Sequence, residues 1–462
     1  MNLLETALVA VRWLLLAAEL QVFGALLCHA LVGKFALWRV LRPGFFALGG
    51  LGLVWLVLQA MVIDDPATPL ASVILVLQLS WVGHVALLRL AFWLLCLVMA
   101  RRRPGWAVAP AGIALGLHGA VGHAEATDDP GLTAAMIVHV LAAGAWLGGL
   151  VPLRLALRGP DPRRVAERFA HLGTVCVAVI GVTAIVQSAA LAGGFPGLVG
   201  TSYGQMLLLK LTLFLALMAL AAQNRFVLTP RLTLDSTALS RSLIFEMAMA
   251  VLLLGAAALL SSLAPGAHVQ PDWPFPLRPS LSVLEDEDLR AEVARSLLML
   301  AGGFALFVVA TFHRLLRLAV VPGVVLVVLA RPSLALLLVP AEPTYYWQSQ
   351  SAGDDASVAL GRMAYASHGC VACHGPEGKG DGPLAASLAD PPEDLTAPHL
   401  LDHSDGELYW WINHGVDAPD GTKAMPGLNL PPDRAMVIWN IIDFLHDNNP
   451  AGQTVPRMTH HH

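Results

Sequence analysis

Cys370, Cys373 and His374 lie in the run His-Gly-Cys-Val-Ala-Cys-His, which contains the spacing Cys-x-x-Cys-His. Two cysteines at this spacing can form thioethers to the two vinyl groups of a haem, and the following histidine can bind the iron. A pair of cysteines could instead bind a zinc ion, but a zinc site needs more thiolates and this segment has no further cysteine. The motif therefore predicts a covalently attached c-type haem, which is a centre for electron transfer.

A second iron ligand is expected downstream of this motif. Met425 follows about fifty residues later, in a loop constrained by the next residue, a proline, and we predict that it is the distal ligand. His399, His403 and His414 are the alternatives. The surrounding segments resemble those of a small single-haem cytochrome c: Gly361 to Tyr365, Gly378 to Gly382, and the apolar run Met436 to Leu445. This resemblance implies a helical fold that shields one haem edge and leaves the other accessible.

The rest of the chain has the composition of a membrane protein. Apolar residues make up 56 % and charged residues 13 %, and mean hydropathy is +0.64, whereas soluble proteins have about 25 % charged residues. Apolar stretches long enough to cross a bilayer occur about ten times. The predicted fold class is therefore all-α, a polytopic membrane helix bundle of about ten transmembrane helices plus a small α-helical cytochrome c domain. The predicted spans are Ala7 to Val32, Phe45 to Ile63, Leu70 to Ala100, Trp106 to His123, Thr133 to Leu153, Phe169 to Leu191, Gly204 to Val227, Leu243 to Leu263, Ser296 to His313 and Leu318 to Val339.

Basic residues are distributed unevenly between the predicted loops. Alternate loops contain sixteen Lys and Arg, whereas the intervening loops contain three, Arg278, Arg290 and Arg295. Short loops rich in Lys and Arg stay in the cytoplasm, so this asymmetry predicts that the N- and C-termini are both periplasmic. A periplasmic C-terminal domain agrees with c-type haem attachment, which takes place outside the bacterial inner membrane. We therefore expect a multi-pass protein of that membrane.

Four segments follow from these patterns. Residues 1–340 form the predicted transmembrane domain, residues 341–357 an interfacial linker, residues 358–459 the periplasmic cytochrome c domain, and residues 460–462 the remnant of a purification tag. The linker contains Tyr345, Tyr346 and Trp347, and such aromatic residues are typical of a membrane interface. From Glu342 to Thr459 there are sixteen acidic and five basic residues, a net charge of −11. The negative electrostatic field of this segment favours cations and basic partners; alternatively, the charge only keeps the domain soluble.

Polar residues inside the apolar spans are candidates for a metal site, because ionisable groups are costly in a bilayer. His118 and His139 are predicted at the same depth, roughly 10 Å, on adjacent antiparallel helices. Met136 lies one turn from His139, and His123 and His268 lie at the outer mouth. Imidazole binds both copper states and a thioether favours Cu(I), so these residues predict a copper entrance. The alternative is a polar seam of hydrogen-bonded histidines.

Two further pairs are expected deeper in the bundle. Glu19 and His84 lie near the middle of their spans, and Arg89 and Glu246 lie closer to the cytoplasmic side. Opposite charges at similar depth should pair, so we predict contacts between Glu19 and His84 and between Arg89 and Glu246. His84 also remains a candidate metal ligand.

Two histidines at matched depth could instead hold a b-type haem between helices. His118 with His139, or His84 with either, would then make the chain a transmembrane electron conduit to or from the c-type haem. A b-type component in the reduced spectrum would favour the conduit, whereas tight copper binding with only c-type haem would favour copper handling.

Several segments resemble the CopD copper-resistance and copper-uptake family, over roughly Leu8 to Pro276. They are Gly116 to His123, His139 to Pro152, Arg168 to Gly173, Tyr203 to Lys210, Asn224 to Pro230 and the helix around Glu246. Ala341 to Tyr346 resembles the junction in CopD proteins that are fused to a cytochrome. The resemblance implies copper movement or copper handling at the inner membrane.

The sequence as a whole predicts copper import or homeostasis with a periplasmic c-type haem, whose electron transfer is linked to the Cu(II)/Cu(I) change. Expected partners are membrane lipid, copper ions or a periplasmic copper chaperone, and a periplasmic redox partner or the respiratory chain, with no nucleic acid. No residue pattern identifies a catalytic group. If the protein is an enzyme, we expect an oxidoreductase such as a copper reductase.

Overall fold

The computed structural model describes residues 2–63, 69–121, 129–232, 236–312, 324–331, 335–418 and 420–450. These residues belong to two compact units, Met1–Val269 and Gln270–His462. Helices dominate both units and strands are few, which confirms the predicted all-α class. The unit boundary differs from the predicted boundary at residue 340, and the predicted domain limits stay a prediction.

Eleven α-helices form the described part of the first unit. They are α1 (Leu3–Leu31), α2 (Trp38–Ile63), α3 (Pro69–Leu79), α4 (Trp81–Arg102), α5 (Val108–Gly116), α6 (Pro130–Trp146), α7 (Leu150–Ala156), α8 (Pro162–Leu191), α9 (Gly194–Gly200), α10 (Ser202–Gln223) and α11 (Thr237–Leu260). Single turns follow three of them: 3₁₀ turns at Leu117–Ala120 and Gly266–His268, and a π-helical turn at Asn224–Leu228.

Seven helices among the described residues are long and apolar enough to cross a membrane: Leu3–Leu31, Trp38–Ile63, Trp81–Arg102, Pro130–Ala156, Pro162–Leu191, Ser202–Leu228 and Thr237–Leu260. They confirm a multi-pass architecture. The predicted span Leu70 to Ala100 is two helices, because Ser80 caps α4 and accepts a hydrogen bond from the Gly83 amide at 3.0 Å. The tenth predicted span lies partly outside the described residues, so the number of ten stays a prediction.

Helix α1 is the central element of the first unit and packs against α2, α5, α6, α7 and α11. Its contact with the junction of α6 and α7 is unusually close. A Cβ atom at Gly148 would lie 1.9 Å from the carbonyl oxygen of Leu20, so only glycine fits there. Small residues allow helices to approach in this way, and the approach brings polar groups of α1 near those of its neighbours.

The second unit combines short strands and helices. Its elements are β1 (Leu277–Pro279), α12 (Glu287–Phe312), α13 (324–331), β2 (Leu338–Pro340), α14 (Asp355–Ser367), α15 (Val371–His374), α16 (Asp405–His414), β3 (Gly415–Asp417), β4 (Lys423–Pro426) and α17 (Ala435–Asn448). Strand β1 pairs antiparallel with β2, and β3 pairs antiparallel with β4. The core is the buried face of α17, with Ile438, Trp439 and Phe444 packed against α14 and α16.

The predicted interfacial linker is part of this folded unit. We call residues 273–279 and 338–347 the strap. The Thr344 hydroxyl donates to the Gly406 carbonyl at 2.5 Å, and the Ser404 hydroxyl donates to the Tyr345 carbonyl at 2.7 Å. Trp347 packs on Tyr409 with ring centroids 5.1 Å apart. The linker therefore holds the haem domain through specific contacts, which its polar composition did not indicate.

The two halves of the strap also contact each other. The Trp273 amide donates to the Pro343 carbonyl at 2.7 Å, and the Trp273 and Tyr346 rings lie 5.0 Å apart. The Arg278 guanidinium lies 3.7 Å from the centre of the Tyr345 ring, a cation–π contact. The aromatic residues predicted to lie at a membrane interface thus contact other residues of the second unit.

Candidate functional site

The Cys-x-x-Cys-His motif is presented by the shortest helix of the second unit. Cys370 precedes α15, and Cys373 and His374 lie within it. Both cysteines are free thiols that are half-buried. Burial raises the pKa of the Cys370 thiol, so it is protonated at neutral pH. Two thiols three residues apart on one turn fit the attachment of a haem through its two vinyl groups.

The orientation of His374 is fixed by a backbone carbonyl. Its Nδ1 lies 3.2 Å from the Glu393 carbonyl oxygen, which can only accept, so Nδ1 carries the proton and Nε2 carries a lone pair. Burial lowers the pKa of His374, while the Glu393 carbonyl opposes this shift. The imidazole is therefore neutral at pH 7, the form that an iron ligand requires.

Met425 lies on β4, opposite Val416 of β3. The two strands are held together where α16 ends, because Gly415 adopts φ +81° and a Cβ atom there would lie 2.3 Å from the Met425 carbonyl. Lys423 adds an ion pair to Asp417 at 2.7 Å. A fixed loop places the thioether in a defined position, as the predicted role requires.

The three alternative histidines each have another contact. His414 Nδ1 donates to the Trp410 carbonyl at 3.1 Å, His399 pairs with Glu393 at 2.8 Å, and His403 lies 3.6 Å from Glu407. A donor set of two thiols, one neutral imidazole and one thioether fits haem c. The carboxylates beside His399 and His403 compete with iron for these two rings, whereas the contact of His414 leaves its Nε2 available. Ligation by Met425 therefore stays a prediction.

In the first unit, His139 contacts a residue that the sequence did not single out. Its Nδ1 lies 2.9 Å from the Thr183 hydroxyl oxygen. That hydroxyl donates its own proton to the Val179 carbonyl at 2.8 Å, so it accepts from His139. In the neutral imidazole, Nδ1 then holds the proton and Nε2 is left as a lone-pair donor. A hydroxyl on α8 therefore prepares His139 on α6 to bind a metal ion.

Thioether sulfur lies close to this histidine along the helix. Met136 is one turn before His139 and packs against a buried apolar cluster that contains Leu132 and Tyr203. A second methionine, Met206 of α10, packs against the same cluster. Two thioethers therefore pack against one apolar cluster that includes Leu132 of the first turn of α6, and only Met136 was predicted as a ligand.

His118 lies in a different group of polar side chains. Glu19, which is 2 % exposed, accepts hydrogen bonds from both Arg89 and His118. Arg89 Nη2 also lies 2.8 Å from His118 Nε2. Arginine can only donate hydrogen bonds. If His118 Nε2 is protonated, its N–H donates to Glu19; if Nε2 is unprotonated, it accepts a hydrogen bond from Arg89. The ring nitrogen of His118 that faces this group is therefore already engaged.

The predicted ion pairs are corrected by these contacts. Arg89 pairs with Glu19 rather than with Glu246, and Glu19 pairs with Arg89 and His118 rather than with His84. Glu246 instead accepts from the Asn224 side chain at 2.7 Å. Position along a helix does not decide which way a side chain points around it, so predicted depth alone could not assign these pairs.

The remaining predicted metal ligands are dispersed. His84 is exposed and its Nε2 lies 3.2 Å from the Gln78 carbonyl, while His268 is exposed on a 3₁₀ turn. His123 lies outside the described residues. Within the parts of the chain that are described, no three His, Cys, Asp or Glu side chains are close enough to hold a metal ion. A copper site formed by these histidines together stays a prediction. Among them, His139 is oriented by Thr183 and lies one turn from the thioether of Met136.

Comparison with known families agrees with the two-part organisation. The family model described as "Copper resistance protein D" (CopD) matches residues 163–260, which contain Thr183, Asn224 and Glu246. The model described as "Cytochrome c" matches residues 358–447, which contain the Cys-x-x-Cys-His motif and Met425. The resemblances seen in the sequence are thereby confirmed for these segments. No solved structure matches the chain with significance.

Three curated proteins are similar to the chain. "Inner membrane protein YebZ" of Escherichia coli (strain K12) is 28 % identical over 254 residues, which are 49 % of this chain and 86 % of YebZ. "Copper resistance protein D" of Pseudomonas syringae pv. tomato is 34 % identical over 148 residues, 28 % of this chain and 48 % of that protein. "Copper transport protein CutJ" of Bacillus subtilis (strain 168) is 31 % identical over 162 residues, 33 % of this chain and 29 % of CutJ. The chain thus covers less than half of each of the two relatives named for copper.

Proposed function

We propose that this chain, which joins a CopD segment to a cytochrome c domain, is a multi-pass protein of the bacterial inner membrane that handles copper and carries a covalent haem c. The relatives named for copper resistance and copper transport support the metal. The relative named as an inner membrane protein, together with seven long apolar helices, supports the location. Copper is the substrate in this proposal, and haem c is a resident cofactor.

The observation that carries the copper proposal is the hydrogen bond between His139 and Thr183. It leaves His139 Nε2 as a lone-pair donor. Imidazole and thioether ligands accept both copper states and stabilise Cu(I) in particular. We therefore assign copper binding to His139 with Met136, while His118 joins them only when its Nε2 leaves Glu19.

The cytochrome domain supplies the redox part of the proposal. When bound, haem c provides a one-electron redox centre. The chain contributes the thiols of Cys370 and Cys373, the neutral imidazole of His374 and the thioether of Met425. We propose that electron transfer at this domain is linked to the Cu(II)/Cu(I) change at His139, with a copper chaperone and a redox partner outside the membrane. The net charge of −11 of residues 342–459 suits a cationic partner.

The test uses the purified full-length protein in its reduced form, mixed with Cu(II), with haem oxidation followed by absorbance. His139→Ala should slow the oxidation, since removing the ligand lowers the amount of copper bound; we expect a loss of about tenfold or more. His171→Ala is the matched control, because His171 is an exposed histidine of α8 whose Nδ1 donates to the Glu167 carbonyl of the same helix. Equal rates for the unchanged protein and His139→Ala would reject the redox link.

The same samples separate this proposal from a b-type haem conduit. Haem that is not covalently bound can be extracted with acidified acetone, whereas haem c stays with the protein. Extractable haem that disappears in His139→Ala would assign His139 to a b-type haem. Copper bound at His139 without extractable haem supports the copper site.

The orientation of the termini remains a proposal that rests on the charge asymmetry. Cysteines introduced at Gly159, between α7 and α8, and at Gly194, where α9 begins, lie at opposite ends of α8. In cells with an intact inner membrane, an impermeant thiol reagent should label Gly194→Cys and spare Gly159→Cys. Labelling in the reverse order would place both termini in the cytoplasm.

A further inference from the structure

Glu246 is a buried carboxyl group that the copper proposal does not use. It lies on α11, is 2 % exposed, and accepts a hydrogen bond from Asn224 Nδ2 at 2.7 Å. Asn224 begins the π-helical turn after α10, and such turns are frequent at functional sites. Carboxylate and amide oxygens are hard ligands that Cu(I) does not prefer, so this pair calls for another explanation.

The pair lines a partly open cavity of about 300 Å³ in the first unit, whose wall is largely apolar and has Thr174, Thr229 and Arg225 as further polar residues. This volume has room for several water molecules. Asn224 is 8 % exposed, and its Oδ1 is buried with no hydrogen-bond partner among the described residues. A buried carbonyl oxygen without a partner is costly, so the cavity contains an acceptor that is ready for a donor.

No cation neutralises Glu246 in the part of the chain that the structure describes. Arg225, on the cavity wall, donates to the Ala170 carbonyl at 3.0 Å and to the Thr174 hydroxyl. Two charged groups on elements packed against α11 have other partners: Arg154 of α7 donates to Ser240 at 3.0 Å, and Glu19 of α1 pairs with Arg89 and His118. Two more cations on these elements are not paired with Glu246 either: Arg12 of α1 donates to Ser261 at 3.1 Å, and Lys210 lies fourteen residues before Asn224 on α10, about 21 Å along the helix. Glu19 and Glu246 are equally buried, but only Glu19 has an arginine.

We propose that Glu246, Asn224 and their cavity form a proton-binding site. The structure has Asn224 Nδ2 donating to the carboxyl, which is the contact that the ionised form makes. When the carboxyl is protonated, its O–H donates to Asn224 Oδ1 after the side-chain amide flips by 180°. This is possible because the amide contains both a donor and an acceptor. The proton comes from water in the cavity and returns to it, and no electron is moved. A carboxyl that changes charge inside the bundle balances the charge of a cation that enters it.

Infrared difference spectroscopy of the full-length protein in membranes, recorded between alkaline and acidic pH, tests this site without copper. A protonated buried carboxyl has a carbonyl stretching band above those of solvent-exposed carboxyls, and the band shifts in D2O. We expect this band in the unchanged protein and its loss in Glu246→Gln, whose amide can still bond to Asn224. Glu167→Gln is the control, because Glu167 is an exposed carboxyl paired with Arg163 at 2.9 Å, and it should leave the band unchanged.

Asn224→Leu provides a second measurement. The protonated carboxyl then loses its acceptor, so the band should move to higher frequency while Glu246 remains present. Far-ultraviolet circular dichroism confirms that each variant keeps its helices. A band that is missing from the unchanged protein, or that survives in Glu246→Gln, would overturn the proton-binding site and would leave the copper proposal unaffected.

Discussion

Gly406→Ala should detach the strap from the haem domain. Gly406 lies in the first turn of α16, and its carbonyl accepts from Thr344. A Cβ atom at this position would lie 1.7 Å from the Thr344 carbonyl oxygen and 3.0 Å from the Trp347 amide nitrogen. The end of a flexible side chain could rotate away from the added carbon, but these backbone atoms cannot. The strap must therefore move by about 1.5 Å to restore an ordinary van der Waals contact.

The size of the effect follows from the contacts that such a shift breaks. The hydrogen bonds Thr344 to Gly406 and Ser404 to Tyr345 contribute about 1 kcal/mol each, and the Trp347–Tyr409 ring contact about 1 kcal/mol more. Alanine returns up to about 1 kcal/mol through its higher helix propensity. The net loss of roughly 2 kcal/mol should lower the Tm of the haem domain by about 10 °C.

Thermal unfolding followed by tryptophan fluorescence measures the loss, and limited proteolysis near exposed Gln348 and Gln350 reports whether the strap is detached. Gly421→Ala is the control. Gly421 has φ +83° with nothing within 4 Å of the added carbon, so alanine there costs only backbone strain, about 1 kcal/mol, with the strap in place. An unchanged Tm and unchanged cleavage in Gly406→Ala would refute the close contact on which this reasoning depends.

Three further substitutions test the candidate sites. Thr183→Val removes the acceptor of His139 Nδ1–H at almost constant volume and should weaken copper binding about 10- to 100-fold, as measured by competition with a chelator; unchanged affinity would show that the Nδ1 contact does not prepare the ligand. Met425→Ala should leave haem attached but abolish the methionine-to-iron absorption band, and a surviving band would identify another ligand. Arg89→Leu should destabilise the first unit by about 3–5 kcal/mol, because it removes the arginine from buried Glu19, whereas adding Glu19→Gln should recover most of that loss in a denaturation experiment; equal stability of the single and double variants would contradict a buried ion pair.

The parts of the fold that were predicted from the sequence depend on local patterns. The Cys-x-x-Cys-His motif needs only four consecutive backbone steps to bring its side chains together, so no knowledge of the tertiary structure was required. The apolar spans were predicted for a similar reason, since hydrophobic length alone shows whether a helix can cross a bilayer. Both patterns are confirmed by the family matches and by the seven long apolar helices.

The partners of the buried charges could not be predicted in this way. Each residue along a helix changes depth by 1.5 Å but rotates the side chain by about 100°. Arg89 and Glu246 were predicted at a similar depth, yet Arg89 contacts Glu19 on α1 and Glu246 contacts Asn224. Thr183 was missed as well, because a threonine in an apolar helix gives no signal until the histidine on the neighbouring helix is known.

The pairing of β1 with β2 joins two distant segments of the second unit. These strands are separated by about 60 residues, including α12 and α13, and closing a loop of that length costs about 3–4 kcal/mol in chain entropy. Three residue pairs alone do not offset this cost, so the rings of Trp273, Tyr345 and Tyr346 must supply much of the free energy that closes the loop. A shortened protein that starts at residue 341 would lack β1, β2 and Trp273. Its tyrosine rings would face water, and the isolated domain would lack contacts that stabilise it in the full-length protein.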